Sequence, residues 1–181
     1  MAKIFLNPGH DLNEDPGAVN KTTGLTEAFV VADIGSKTKK ILEKEGHEIY
    51  ILQNDYLTGL VNEANAWGAD TFVSIHCNGF TNPQANGTET LYYPGSKEGR
   101  LLADCIQKRM IDAFGTTDRG SKERLNLYVL NHTAMPAALA ETAFITNPEN
   151  EKLLASEENR QIWARAIAKG IIDYEKTKGV Y

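Results

Sequence analysis

The chain has 181 residues, 41% of them hydrophobic and 24% charged, which are the proportions of a globular domain and not those of a disordered or membrane protein. A formal net charge of −5 argues against a nucleic-acid binder resting on clustered lysine and arginine, and provides no general attraction to an anionic cell surface. No run of about 18 or more apolar residues offers a transmembrane helix, and the length suits one domain with one core, so residues 1–181 are read as a single unit.

Strand and helix patterns alternate along the chain. Ile4 to Asn7 reads as a short buried strand, followed by a loop rich in Gly, Pro, Asn and Asp from Pro8 to Gly24. A helix is expected from about Thr26 to Glu45, with Val31, Ile34, Ile41 and Leu42 on one face and Gly46 in the position that ends helices. His47 to Gln53 alternates as a second strand. A shorter helix, Leu57 to Trp67, leads through Gly68 to the strand Thr71 to Cys77. Phe80 to Gly87 is polar and turn-rich, a loop expected over the active face. Thr88 to Tyr93 reads as a strand, and Lys97 to Phe114 as a helix with Leu101, Leu102, Cys105, Ile106 and Phe114 at core spacing. Gly115 to Asn126 is polar and charged, and is expected to be mobile. Leu127 to Leu130 and Ala137 to Ala143 read as two more strands, with a short helix near Glu149 and a last helix from Glu157 to Tyr174. This alternation predicts an α/β fold with a mainly parallel sheet and helices on both faces.

The N-terminus shows no signal peptide, since Lys3-Ile4-Phe5-Leu6 goes directly into structure. The expectation is delivery by another route, or a catalytic domain excised from a longer chain. Cys77 and Cys105 are read as buried free thiols and not as a disulfide framework. Cys77 is disfavoured as a metal ligand because alternate strand residues point to opposite faces, and His76 is its neighbour.

Four residues have the chemistry and the placement of a metallohydrolase: His10 after the first strand, Glu27 at the start of the first helix, His76 at the end of the third strand, and Glu141 late in the last strand. In an open α/β sheet, ligands gather beyond the carboxyl ends of the strands. Two imidazoles and one carboxylate make a zinc ligand set that leaves a position open for water, and a further carboxylate can then move protons. A histidine inside the apolar strand Val73-Ser74-Ile75-His76 needs a partner for its polar edge. His47 is expected at the surface, while His132 is a weaker candidate to line a cleft. Asp15 either orients His10 or initiates the Asp-Pro-Gly turn, with the turn favoured. Asn78, on the same strand face as His76, either contacts substrate and neighbouring side chains or is a plain strand-end polar residue.

At these segments the chain resembles the zinc-dependent N-acetylmuramoyl-L-alanine amidases of the type 3 amidase family, which cleave bacterial peptidoglycan. Asn7-Pro8-Gly9-His10 with Asp15-Pro16-Gly17-Ala18 is similar to that family's opening histidine motif. Gly24-Leu25-Thr26-Glu27 is similar to its glutamate segment, and Ala69 to Asn78 to its second histidine strand. Gly87 to Tyr93, Asn126 to Leu130 and Met135 to Asn147 follow in the family's order, so the likeness spans essentially the whole chain. Carried over by position, it implies a zinc-exopeptidase-like fold, one zinc ion held by His10, Glu27 and His76, and Glu141 as the catalytic carboxylate. The departures are Asp11-Leu12-Asn13-Glu14 in place of a glycine-rich stretch, Gln53-Asn54-Asp55 in place of a threonine-arginine pattern before an abbreviated helix, and Ala140 where a branched residue is usual.

The resemblance implies hydrolysis of the amide between N-acetylmuramic acid and L-alanine of the stem peptide, as an endolysin or autolysin acting at the cell wall. The partner expected is peptidoglycan, with no nucleic acid, no membrane insertion and a monomeric state. Two rivals accompany that reading: a zinc aminopeptidase or carboxypeptidase, and a wall-binding module that has lost catalysis.

Overall fold

A computed structural model describes residues 1–179. Six strands form one sheet: β1 Lys3–Pro8, β2 Glu48–Ile51, β3 Thr71–Asn78, β4 Thr88–Tyr92, β5 Asp118–Glu123 and β6 Ala137–Phe144, in the order β2-β1-β3-β6-β4-β5. β2, β1, β3 and β6 pair in parallel, β4 runs antiparallel to β6, and β5 is parallel to β4. The sheet is therefore mainly parallel, as the alternation of elements predicts.

Six helices surround it: α1 Glu27–Lys44, α2 Leu57–Trp67, α3 Lys97–Phe114, α4 Tyr128–His132, α5 Pro148–Ala155 and α6 Glu157–Thr177. Their starts are set by local chemistry. The side chains of Thr26, Ser96, Asn147 and Ser156 each accept from a backbone N–H of the first turn, and Pro148 follows Asn147 where its missing N–H costs nothing. Alternation along the strands divides the core. Ile4, Leu6, Val73 and Ile75 meet α1, α3 and α6 around the fully buried Trp163. Phe5, Phe72, Leu91 and Leu139 meet α2 and α4 on the other face. Complete burial of a side chain such as Leu6 or Phe72 contributes roughly 1.5–3 kcal/mol.

Two segments differ from the sequence-based expectation. Gly115 to Asn126 contains β5, an edge strand whose residues Asp118-Arg119-Gly120-Ser121-Lys122-Glu123 carry no apolar alternation. Its order comes from backbone pairing with β4 and from side chains reaching inward, Arg119 and Lys122 to Glu89 and Asp118 to Gln107. Leu127 to Leu130 is not a strand. Most of it belongs to the one-turn helix α4, whose Val129 and Leu130 are buried against the sheet and whose end is tied by the Thr133 hydroxyl donating to the Val129 carbonyl.

The loop 79–87 leaves β3 and enters β4 over the end of β6. It is fastened there by the Phe80 N–H donating to Thr146 Oγ1 and by Asn147 Nδ2 donating to the Pro83 carbonyl.

Candidate metal centre

The parallel strands β1, β3 and β6 point their carboxyl ends to one edge of the sheet, and the four singled-out residues meet there. Beyond β1, the Gly9 N–H donates to the Ile75 carbonyl at 2.9 Å, which prolongs the ladder by one residue. His10 then turns with φ at 63°, the sole non-glycine positive φ among the described residues. Such a conformation costs roughly 1–3 kcal/mol and persists where the surroundings enforce it. It brings the imidazole beside that of His76 from β3, with ring centroids 5.1 Å apart.

Glu27, at the first position of α1, is 3% exposed. Its Oε1 lies 2.9 Å from His76 Nδ1 and accepts from the Cys77 N–H at 2.9 Å. Its Oε2 lies 3.1 Å from His10 Nε2 and accepts from the Ala18 N–H at 2.9 Å. The other nitrogen of His10, Nδ1, lies 2.6 Å from Asp15 Oδ2. The electrostatics follow from this packing. The hydrogen bond to Glu27, assisted by Asp15 against the opposing effect of burial, raises the His10 imidazole to about 9. Burial disfavours ionisation of Glu27, but the hydrogen bonds from His10 and His76 outweigh it and hold the carboxyl well below the usual range.

Glu141 stands on β6 directly opposite His76 across the parallel pairing, and opposite Glu89 across the antiparallel one. Its Oε2 is buried without a hydrogen-bond partner. Burial pushes its carboxyl up to about 7, with Glu27 and Glu89 adding to the effect and His76 opposing it.

His10, Glu27 and His76 each offer a ligand atom, all within 4.8 Å of one another. Two imidazoles and a carboxylate converging on one spot, beside an orphaned carboxylate oxygen, fit a borderline divalent cation of the zinc type. His10, Asp15 and Asp55 satisfy the same distance, but that group shares His10 and includes the exposed Asp55. A cavity of about 1040 Å³ opens at the site, lined by His10, Glu27, His76, Asn78 and Glu141 together with Phe80, Thr81 and Pro83. A smaller one of about 460 Å³ lies against the other side of the imidazoles, beside Asn54 and Tyr128. Of the loop 80–87 expected over the active face, Phe80, Thr81 and Pro83 line the larger cavity.

Asp15 has both of the roles considered for it, since its Oδ1 also accepts from the Gly17 N–H at 3.0 Å and so forms the turn. Cys77 is buried with its thiol against Thr142, away from His76. Cys105 is only partly buried on α3. His132 is exposed and stacks on Tyr128, ring centroids 4.0 Å apart. His47 is half-buried rather than at the surface, with Nδ1 enclosed, and it precedes β2 at the opposite end of the sheet.

Two contributors escaped the sequence reading. Gln53 donates through Nε2 to the carbonyls of Gly9 and Ala28, both at 3.1 Å, and so joins the residue before His10 to the residue after Glu27. Glu89 is 5% exposed and hydrogen-bonded to Asn78, Arg119 and Lys122. The signal for Glu89 was a carboxylate inside the otherwise uncharged strand Thr88-Glu89-Thr90-Leu91-Tyr92, which only paired burial can accommodate.

Residues 4–173 match the family model described as N-acetylmuramoyl-L-alanine amidase. The chain is 38% identical to an uncharacterised cell wall amidase of Bacillus anthracis over 97% of its own length and 36% of that protein's. It is 36% identical to the N-acetylmuramoyl-L-alanine amidase LytC of Bacillus subtilis over 94% and 35% of the respective lengths. It thus spans about a third of these two curated relatives. Among solved structures, the catalytic domain of the amidase CwlV from Bacillus (Paenibacillus) polymyxa var. colistinus superposes with a TM-score of 0.90 at 31% identity, covering 98% of this chain and 100% of that one.

Proposed function

The chain belongs to the type 3 N-acetylmuramoyl-L-alanine amidase family, and from that membership we propose that it hydrolyses the amide joining the lactyl group of N-acetylmuramic acid to L-alanine in peptidoglycan, using one zinc ion held by His10, Glu27 and His76. The observation that carries the reading is the convergence of those three donors beside the unpartnered oxygen of Glu141, in a cavity large enough for a sugar and several peptide residues.

Zinc, when bound, supplies Lewis acidity: it polarises a carbonyl and acidifies water. The remaining work belongs to side chains. Asp15 occupies Nδ1 of His10, which leaves Nε2 as the nitrogen facing the cluster. Glu141, with a carboxyl pushed up to about 7, is suited to both directions of proton transfer near neutrality. It accepts a proton from the attacking water as the new C–O bond forms. It then donates that proton to the alanine nitrogen as the C–N bond breaks, releasing a lactyl carboxylic acid and a free amino-terminal alanine. The substrate places the site of action at the cell wall.

The test is release of stem peptides from purified peptidoglycan, with chelator and after restoration of zinc. New amino-terminal alanine without new reducing sugar ends, abolished by chelation and regained with zinc, is the expected result. Saturable wall binding without release would defeat the reading.

A further inference from the structure

We propose that Glu89 is a positioning residue that turns the side-chain amide of Asn78, so that its carbonyl oxygen faces the cavity as a fixed acceptor for a substrate amide N–H. The proposal rests on the amidase reading above and identifies one group with which that site grips its substrate.

The arrangement originates at the sheet edge. Between Thr88 and Thr90 of β4 the facing residues of β5 are Asp118 and Ser121, so three steps on β5 match two on β4. Gly120, with φ at 77°, sits in this bulge. An extra residue shifts the alternation of a strand. Arg119 and Lys122, which would otherwise point to opposite faces at a separation of three, therefore converge on one carboxylate. Arg119 Nε lies 2.9 Å from Glu89 Oε2, and Lys122 Nζ 2.6 Å from the same atom. Burial disfavours ionisation of Glu89, but Lys122 and Arg119 outweigh it and hold the carboxyl below its ordinary range.

Both cations occupy Oε2, which leaves Oε1 for Asn78, 2.9 Å away. An ionised carboxylate can only accept, so the Asn78 atom that meets it must be Nδ2. The amide is planar, and its Oδ1 is turned away from Glu89. Among the described residues no donor reaches that oxygen. Asn78 follows His76 by two residues on β3 and lines the cavity together with His76 and Glu141. An acceptor of fixed direction next to the reacting centre selects for an N–H. Peptidoglycan offers one on the sugar's acetamido group and others along the stem peptide.

Glu89→Gln gives a discriminating test because it preserves shape. The substituted amide would turn its carbonyl oxygen to Arg119 and Lys122 and its NH2 to Asn78, so the Asn78 amide would flip and present a donor to the cavity. A residue that only fills space would be rescued by this substitution, whereas a positioning residue would not. Release of stem peptide from a soluble muropeptide is measured for the parent, Asn78→Ala, Glu89→Gln and the double variant, with zinc content determined for each. Expected is a rise in KM of about tenfold for each single variant, the size of one lost hydrogen bond, with kcat within about threefold, zinc retained, and the double variant no worse than Asn78→Ala. Two further substrates, N-methylated at the acetamido nitrogen or at the second peptide nitrogen, show which N–H is read. The parent loses about tenfold on one of them, and Asn78→Ala loses nothing further. A parent-like KM for Glu89→Gln, or independent effects that multiply in the double variant, would overturn the proposal while leaving the amidase reading intact. No release by the parent would overturn both.

Discussion

The α-carbon of Gly9 lies against the imidazole of His76, so close that a β-carbon at residue 9 would overlap the ring and stand 2.6 Å from its Nδ1. The residue before one candidate ligand thus leaves the room in which the other sits. Gly9→Ala is expected to displace His76, lower zinc affinity by more than tenfold and reduce stem-peptide release by about a hundredfold or more, a displacement of about 1 Å being enough for such a loss. Zinc titration and turnover of the purified variant measure both effects. Parent-like values would show that His76 does not need its present position.

Glu141→Gln separates metal binding from proton transfer. The variant is expected to retain zinc and to lose turnover by about 10²–10⁴-fold. It also carries a stability signature in the metal-free protein. The folded state raises the Glu141 carboxyl to about 7 from an ordinary 4.5, so it binds the proton more tightly than the unfolded state does. That contribution is fully present below pH 4.5 and is lost as pH rises through 7. Ionised Glu141 therefore destabilises the parent at pH 8 by about 3 kcal/mol, and Glu141→Gln should unfold at higher denaturant than the parent there, with the gap closing towards pH 4.5. A constant gap across the range would contradict the buried, unpartnered state of Oε2.

In the metal-free protein, His10 holds its proton up to about pH 9, through Glu27 first and Asp15 second. Zinc must displace that proton. Apparent affinity should rise about tenfold per pH unit below 9 and level off above it, as competition with a chromogenic chelator would report. A flat profile from pH 6.5 to 9 would mean that zinc displaces no such proton from His10, so that either the imidazole is not held protonated by Glu27 and Asp15 or it is not a ligand. Asp15→Asn removes the charge behind Nδ1 and is expected to weaken zinc binding by about 10–100-fold.

Gln53 joins the segments that carry His10 and Glu27 through a single NH2 group. Gln53→Ala strands the Gly9 and Ala28 carbonyls and is expected to cost about 1–3 kcal/mol of stability, read by denaturant unfolding. Zinc should also dissociate faster. Unchanged stability would indicate that water replaces the amide at both carbonyls.

The gathering of His10, Glu27, His76 and Glu141 was legible because parallel strands deliver their ends to one edge, where His10 follows β1, His76 and Glu141 stand in the second halves of β3 and β6 and Glu27 opens α1, and because the segments around them resemble those of the type 3 amidases. β5 was not legible. Its order depends on Glu89, about thirty residues earlier, whose buried charge recruits Arg119 and Lys122, so the local sequence shows only polarity. α4 failed for a different reason, since Leu127-Tyr128-Val129-Leu130 is too short for its apolar pattern to distinguish a strand from one helical turn. The part of Asp15 in holding His10 was hidden behind its equal fitness for a turn, and the two proved compatible because each carboxylate oxygen does one of them.

The reversal of β4 relative to β6 has a consequence for how this scaffold can diversify. Because β4 begins at the edge where β3 ends, both feet of the loop 79–87 stand on the same rim, and the first half of the loop lines the cavity. Added residues there would leave every strand register untouched, and each doubling of loop length costs only about 0.6 kcal/mol in closure entropy. New substrate preferences can therefore be acquired by insertion at this one connection, while the ladder that carries the chemistry is inherited unaltered.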